Sequence, residues 1–414
     1  MQIVWFNVNV ITFNMELVAG QPYWLIKSGL PHHYPKLWND TKCDCLVIGG
    51  GISGALTAYY LSSAGLECVL VDARTIGLGS TCASTSLLQY ELDLPLYLLK
   101  RKVGEQRAIR AYQLCGEGVD KLIDLMLNLG FKEFDKRNSL YFSQHKKQKE
   151  LMRKELLARK QAGFEVELLD GPQLEDSYNI KAAYGILSTK GATNNAYAFT
   201  YRLLEESLKK GSRVFAHTKI SGITYQKQGV IVKTEQGCTI NAKSVVNATG
   251  YEVINFIDKK IVDLDCTYAV ISESNAEQQE PWKNSIMMWN TDDPYLYLCC
   301  TTDHQMVIGG RDERFVNVNT MHTYLPKKEA LLEKDFSRLF PSMHFKKEFG
   351  WSGVFGKTKD SLPFIGNIRK TPHTFYALGF GGNGITFSLV AAEIITDLLV
   401  GKKNDDAEIF SFSR

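Results

Sequence analysis

The sequence predicts a two-domain chain: an α/β domain founded on a parallel βαβ unit, and a second α+β domain built on an antiparallel sheet. Three observations carry this expectation. The 414 residues exceed the length at which a single core usually stops growing. Near residue 50 a glycine triplet separates a short apolar run from an Ala- and Leu-rich stretch. Later segments, 213–250 and 264–320, carry strand patterning broken by turn residues. Composition contributes exclusions. Hydrophobic residues at 44% and charged residues at 22% describe an ordinary globular chain, and a net charge of +3 is too small to argue for nucleic acid or an anionic membrane.

From the N-terminus, 1–14 is apolar and Asn-rich with no Lys or Arg, which makes a poor secretory signal. We expect Met15 to be the natural start and 1–14 to carry little structure. No stretch reaches the roughly 18–20 apolar residues that cross a bilayer. Residues 20–41, rich in Pro, Gly, Trp and Tyr, read as an extended lead-in rather than a helix. Cys45–Ile48 suits a buried strand, 52–64 a helix and Cys68–Val71 a second buried strand. Ile109, Tyr112, Leu122, Ile123, Leu125 and Met126 recur at helical spacing through 104–130, and 145–162 reads as a charged helix with a solvated face. A turn at Glu235, Gln236 and Gly237 precedes an apolar strand at Val245 and Val246. The region 264–320 is enriched in Tyr, Val and Ile, with Pro281 and Pro294 as breakers. A strand at Phe375–Leu378, a glycine cluster and an amphipathic helix over 386–400 close the chain. Nine cysteines without ligand or disulfide spacing suit buried thiols in a reducing cytoplasm, and the eight histidines show no metal-ligand spacing.

Gly49, Gly51 and Gly54 form G-x-G-x-x-G between the first strand and its helix. Gly49 permits the tight turn, Gly51 lets backbone approach a pyrophosphate, and Gly54 allows close helix packing, while the helix N-terminus offers unpaired N–H groups to phosphate. Asp72, at the end of the second strand and 18 residues beyond Gly54, is placed to accept hydrogen bonds from ribose hydroxyls. Triplet, strand context and acidic residue together specify a Rossmann-type dinucleotide site, to which Ile52, Ser53, Ala73 and Arg74 also belong.

This unit alone does not separate NAD from FAD. Trp351, Gly353, Thr358, Asp360, Pro363 and Gly366, followed by G-F-G-G-N-G-I from Gly379 to Ile385, resemble the C-terminal signature of the D-amino-acid oxidase, glycine oxidase and sarcosine oxidase family of FAD enzymes. Ala248, Thr249 and Gly250 are similar to that family's strand-to-loop return beside the cofactor. Gly79, Ser80 and Thr81, with Leu87 and Leu88, are similar to its flavin-side loop. The resemblance covers roughly 42–400. It implies a discontinuous FAD-binding domain over 42–100, 195–262 and 350–405, a substrate domain over 101–194 and 263–349, and 1–41 as extension and lead-in. Ser84, Ile220, Gly353, Gly381, Gly382, Asn383, Gly384 and Ile385 join the implied cofactor site. No Cys stands where some relatives attach flavin covalently, so noncovalent FAD is expected. The implied reaction is oxidation of a C–N bond in a small amine or amino acid by hydride transfer to flavin N5. The last helix would direct its N-terminus at the ring, stabilising the charge that reduction creates.

Departures from the family pattern bear on substrate and acceptor. Where amino-acid oxidases of the family carry G-L-R-P, with an arginine that clamps the substrate carboxylate, this chain has Gly353, Val354, Phe355 and Gly356. Arg311, at a strand end, is the candidate replacement; pairing with Asp312 or Glu313 is its competing role. Tyr295 and Tyr297 are candidates to wall the substrate pocket, with core packing the favoured role for at least one of them, and Tyr297 and Phe355 join Arg311 as candidate substrate contacts. Val307 stands where sarcosine oxidases have a lysine, which leaves oxygen and another electron acceptor both open. Besides an oxidase, the sequence therefore admits a dehydrogenase of the same fold and a noncatalytic flavin-binding scaffold. Neither a nucleic-acid partner nor a membrane span is expected, and oligomeric state is not legible.

Overall fold

The computed structural model describes residues 7–9, 16–252, 261–274 and 286–414. In chain order, the elements that build the site are β1 (Thr41–Ile48), α1 (Ile52–Ser63), β2 (Cys68–Val71), α2 (Glu105–Asn128), α3 (Lys149–Gln161), β3 (Thr239–Asn247), β4 (Val262–Ser272), β5 (Tyr297–Cys300), β6 (Met306–Arg314), α4 (Val318–Leu339), β7 (Lys347–Thr358), β8 (Thr374–Leu378) and α5 (Gly384–Leu399).

The first sheet has a parallel centre in which Arg213–Phe215, β2, β1 and β3 lie side by side, with β8 parallel to the end of β3. Leu46, Val47, Val69, Leu70 and Val71 are wholly buried, as strands covered on both faces must be. An antiparallel pair, Ile220–Gln226 and Gly229–Thr234, extends the sheet beyond β3. Asn7–Asn9 pairs along Gly222–Thr224 at its edge. An edge strand offers unpaired N–H and C=O groups to any extended segment, so these three residues are structured where the sequence suggested little. The rest of 1–15, the Met15 start included, lies outside the described residues, as does Pro281.

The second sheet runs Val18–Gly20, β7, β4, β6, β5, Ile286–Asn290, Asn138–Ser143, Tyr184–Ser188 and Val166–Asp170. It is antiparallel except where Ile286–Asn290 meets Asn138–Ser143. Helix α4 covers one face, packing Leu325, Leu332 and Phe336 with Tyr268 and Val270. β7 pairs with β4 along most of its length, so it belongs to this sheet although its sequence position grouped it with the cofactor segments. Conversely α2, from the stretch grouped with the substrate domain, shares a core with α1 and α5. At Gly118 an added Cβ would stand 3.1 Å from Thr386 Cγ2. An amphipathic stripe records that a helix is covered, not which helix covers it.

Three further expectations change. The lead-in contains a helix, Tyr23–Ser28, with Pro22 at its N-cap; Tyr23 and Trp24 are buried, and Trp24 Nε1 donates to Ser84 O at 2.9 Å. The charged helix α3 is not solvated all round, because Glu155 and Arg159 are fully buried. Gly381–Leu399 is long and apolar enough by composition to cross a bilayer, yet 67% of that stretch is buried within the protein. All nine cysteines are buried and unpaired.

Candidate active site

A cleft runs from the β1–α1 turn, past the glycine cluster before α5, to the face of the second sheet. At its first end Gly49 adopts φ +110, and a Cβ there would stand 2.5 Å from Ala248 O. Only glycine combines that dihedral with that approach. Gly51 begins α1 with no side-chain cap, and Thr81 Oγ1 accepts from Ile52 N at 3.0 Å. Asp72 accepts from Gly50 N at 2.6 Å and from Arg74 N at 2.7 Å, which fixes the carboxylate at the cleft while leaving lone pairs for a hydroxyl. Burial raises its pKa, and the bonds from Arg74 N and Gly50 N oppose that rise. Arg74 clasps Glu252 through both terminal nitrogens, at 3.0 and 2.6 Å.

Every cofactor contact expected from sequence lines this cleft except Gly54, Leu88 and Asn383. Gly54 packs on the turn, the close approach read for it from the motif: an added Cβ would lie 1.8 Å from Gly49 O. Leu88 alternates away from Leu87 into the core. Asn383 Nδ2 donates to Gln89 O at 3.0 Å and Glu91 O at 2.8 Å, tying the glycine cluster to the neighbouring strand. The N-terminus of α5 is thus left without a side-chain cap, and no atom lies within 4 Å of where a Gly384 Cβ would stand. The starts of both α1 and α5 line the cleft, and helix N-termini there fit a ligand with a pyrophosphate and a ring that gains negative charge. The residues present fit FAD.

At the far end Tyr295, Tyr297, Phe355 and Thr267 line the cleft. Tyr297 OH and Thr267 Oγ1 are 2.9 Å apart. Burial pushes the phenol pKa upward, so Tyr297 remains protonated. Asp93, behind this wall, accepts from Tyr295 OH at 3.1 Å and Gly382 N at 3.0 Å. Burial raises its pKa as well.

Arg311 is not part of this wall. Strand alternation puts residues 309 and 311 on one face, and Gly309 faces the Tyr297 ring, 2.2 Å from where a Cβ would stand. The register between β4 and β6 slips, however: Tyr268 pairs with Gly310 and Cys266 with Glu313, so Arg311 and Asp312 together oppose Thr267. Arg311 takes φ +59 in this bulge. One extra residue inverts the faces beyond it. Arg311 turns to α4, where Nε and Nη2 reach Asp335 Oδ2 and Oδ1 at 2.6 and 2.5 Å, and Asp312 enters the cleft in its place. Burial raises the Asp312 pKa to about 6; Thr267 and Lys357 oppose the rise, while Asp93 and Asp265 add to it. No sequence pattern here announces the bulge, so Asp312, like Asp93 and Thr267, escaped the reading.

Arg311→Ala is accordingly expected to act on stability. Asp335 is 5% exposed and would keep Arg338, 3.6 Å away, as its cationic partner among the described residues. A loss of about 1–2 kcal/mol follows, discounted for the half-open arginine. Chemical denaturation measures it, and flavin reduction rates should match the unsubstituted protein.

Known proteins resemble this chain along nearly its whole length. A Bacillus subtilis (strain 168) protein named putative Rieske 2Fe-2S iron-sulfur protein YhfW is 23% identical over 96% of this chain and 76% of its own. Gamma-glutamylputrescine oxidoreductase of Escherichia coli (strain K12) is 23% identical, covering 89% of this chain and 85% of its own. The crystal structure of glycine oxidase from Geobacillus kaustophilus superposes with a TM-score of 0.76 at 17% identity, over 90% of this chain and 99% of that one. The profile described as DAO, FAD dependent oxidoreductase, matches residues 44–398. The chain therefore belongs to the DAO family of FAD-dependent oxidoreductases, and FAD is its cofactor.

Proposed function

We propose that this enzyme oxidises the C–N bond of a small amine or amino acid. The observation that carries the reading is the far end of the cleft, a chamber lined by Thr267, Tyr295, Tyr297 and Phe355, with Tyr295 OH against Gly382 of the glycine cluster before α5. Relatives whose names specify glycine and gamma-glutamylputrescine as substrates support it. When bound, FAD accepts the two electrons as a hydride from the carbon beside the substrate nitrogen. The residues then have four tasks. Gly49, Gly51 and Asp72 hold the dinucleotide end, the N-termini of α1 and α5 meet negative charge, Tyr295 and Tyr297 confine the substrate, and the chamber limits water. A substrate bound as its ammonium first releases one proton to solvent; hydride loss from the neutral amine then leaves an iminium, which takes up water and separates into a carbonyl compound and an amine or ammonia, so no side chain has to act as acid or base in the redox step.

Buried Val307 supports a second reading, a dehydrogenase with an acceptor other than oxygen, because no lysine cation stands at that position. Anaerobic mixing of the holoenzyme with amines, amino acids and N-methylated amino acids separates these readings. Bleaching near ~450 nm is expected through hydride transfer. Reoxidation by air with peroxide marks an oxidase, and bleaching that persists in air marks the dehydrogenase. A flavin untouched by every compound would sink the amine reading and favour the scaffold.

A further inference from the structure

Among the described residues, five charged side chains line the cleft. Asp72, Arg74, Lys219 and Glu252 sit with the glycine turn, which leaves Asp312 as the charged group of the substrate chamber among the described residues. Asp312 is 7% exposed, and its Oδ1 has no hydrogen-bond partner among the described residues. Its Oδ2 lies 3.7 Å from Lys357 Nζ, but that ammonium is nearer to Asp265 Oδ2, at 3.0 Å. The Thr267 hydroxyl beside it is shared with Tyr297. Asp93 adds a second carboxylate behind Tyr295. A buried carboxylate oxygen with nothing to accept is unfavourable unless a ligand supplies the donor. A substrate carboxylate in the same chamber would meet like charge, with Arg311 turned away to Asp335 and no arginine in the Gly353–Gly356 stretch.

Building on the amine-oxidation reading, we infer that the substrate is a cationic amine with no carboxylate on its reacting carbon, and that Asp312 accepts a hydrogen bond from its ammonium group. The β6 bulge is then a specificity device: it exchanges a cation on the chamber face for an anion without altering the strand on either side.

A matched pair of probes tests this. Tert-butylamine and 2-aminoisobutyrate differ by a methyl group in place of a carboxylate, and neither has a hydrogen on the carbon bearing nitrogen, so both bind without being oxidised. Calorimetric titration of the oxidised holoenzyme should give tert-butylamine at least about 10-fold tighter binding than 2-aminoisobutyrate, the scale of one charged hydrogen bond. Asp312→Asn, which keeps size and removes charge, should weaken tert-butylamine by about 10- to 100-fold while FAD content stays the same. Equal or tighter binding of 2-aminoisobutyrate, binding of neither probe, or an unchanged affinity in Asp312→Asn would each overturn the inference. The comparison on the unsubstituted enzyme stands even if the variant folds poorly. Bleaching of the flavin by glycine but not by butane-1,4-diamine would refute this substrate class and leave amine oxidation intact. Absence of bleaching by any amine would remove both.

Discussion

Gly54→Ala is expected to abolish the holoenzyme. The added methyl would stand 1.8 Å from Gly49 O and 3.0 Å from Gly49 C. Both are backbone atoms, so no rotamer change relieves the overlap. Either α1 moves off the sheet or the turn that approaches Ala248 O is rebuilt. Both disrupt a core in which Ala55, Leu56 and Ala58 are wholly buried. The loss should exceed about 4 kcal/mol, beyond ordinary substitutions, and appear as protein purified without FAD and with a lowered Tm. Gly384→Ala is the informative partner. It has open space where its Cβ would stand and a helical φ of −52. That variant should fold at least as well, because alanine is the better helix former, yet bind FAD more weakly, because its methyl enters the cleft. A Gly54→Ala protein with full FAD content would show that Gly54 does not set the distance between helix and turn.

Arg159→Met should be the most damaging change outside the cleft. Arg159, Glu91 and Glu155 are all fully buried. Arg159 Nε donates to Glu155 Oε1 at 2.7 Å and Nη1 to Glu91 Oε1 at 3.1 Å. The Glu155 carboxylate also accepts from Leu96 N and Tyr97 N, both at 3.1 Å, at the start of a helix. Glu91 O holds Asn383, so the network lies one residue from the glycine cluster. Removing the cation strands two carboxylates, a change of about 3–5 kcal/mol for a buried pair that loses one partner. The pH dependence has a definite sign. Burial already raises the Glu91 pKa, and Arg159 is the main opposing influence. Without it the folded-state pKa climbs further above the unfolded value. Stability in the variant is therefore retained at low pH and lost as pH rises through the folded pKa. Denaturation at pH 5 and pH 8 should show the larger deficit at pH 8, and adding Glu91→Gln should recover part of it. A deficit independent of pH would mean that the network acts through packing rather than charge.

Most of the cofactor site was legible because it depends on local chemistry. A glycine turn between strand and helix, an acid at the next strand end and a glycine cluster before an apolar helix each require particular residues at particular spacings. Leu88 and Asn383 were assigned as contacts and do not line the cleft, a difference that depends on the direction of a side chain rather than on its place in the motif. The buried Glu155 and Arg159 were read as part of a charged surface helix for a related reason. Their i, i+4 spacing suits a solvated pair equally well, and only the arrival of Glu91 from a distant segment takes them into the core.

What the sequence determined by itself is the Rossmann unit, its dinucleotide end and the family to which the chain belongs, since these follow from short-range patterns that fold one way. What the tertiary structure alone decided is the charge at the far end of the cleft. Alternation along β6 assigns Arg311 to the chamber, and the bulge opposite Thr267 gives that place to Asp312. A bulge forms where strand pairing, helix packing and an available partner such as Asp335 together favour it, and each of those contributions comes from residues remote in the chain.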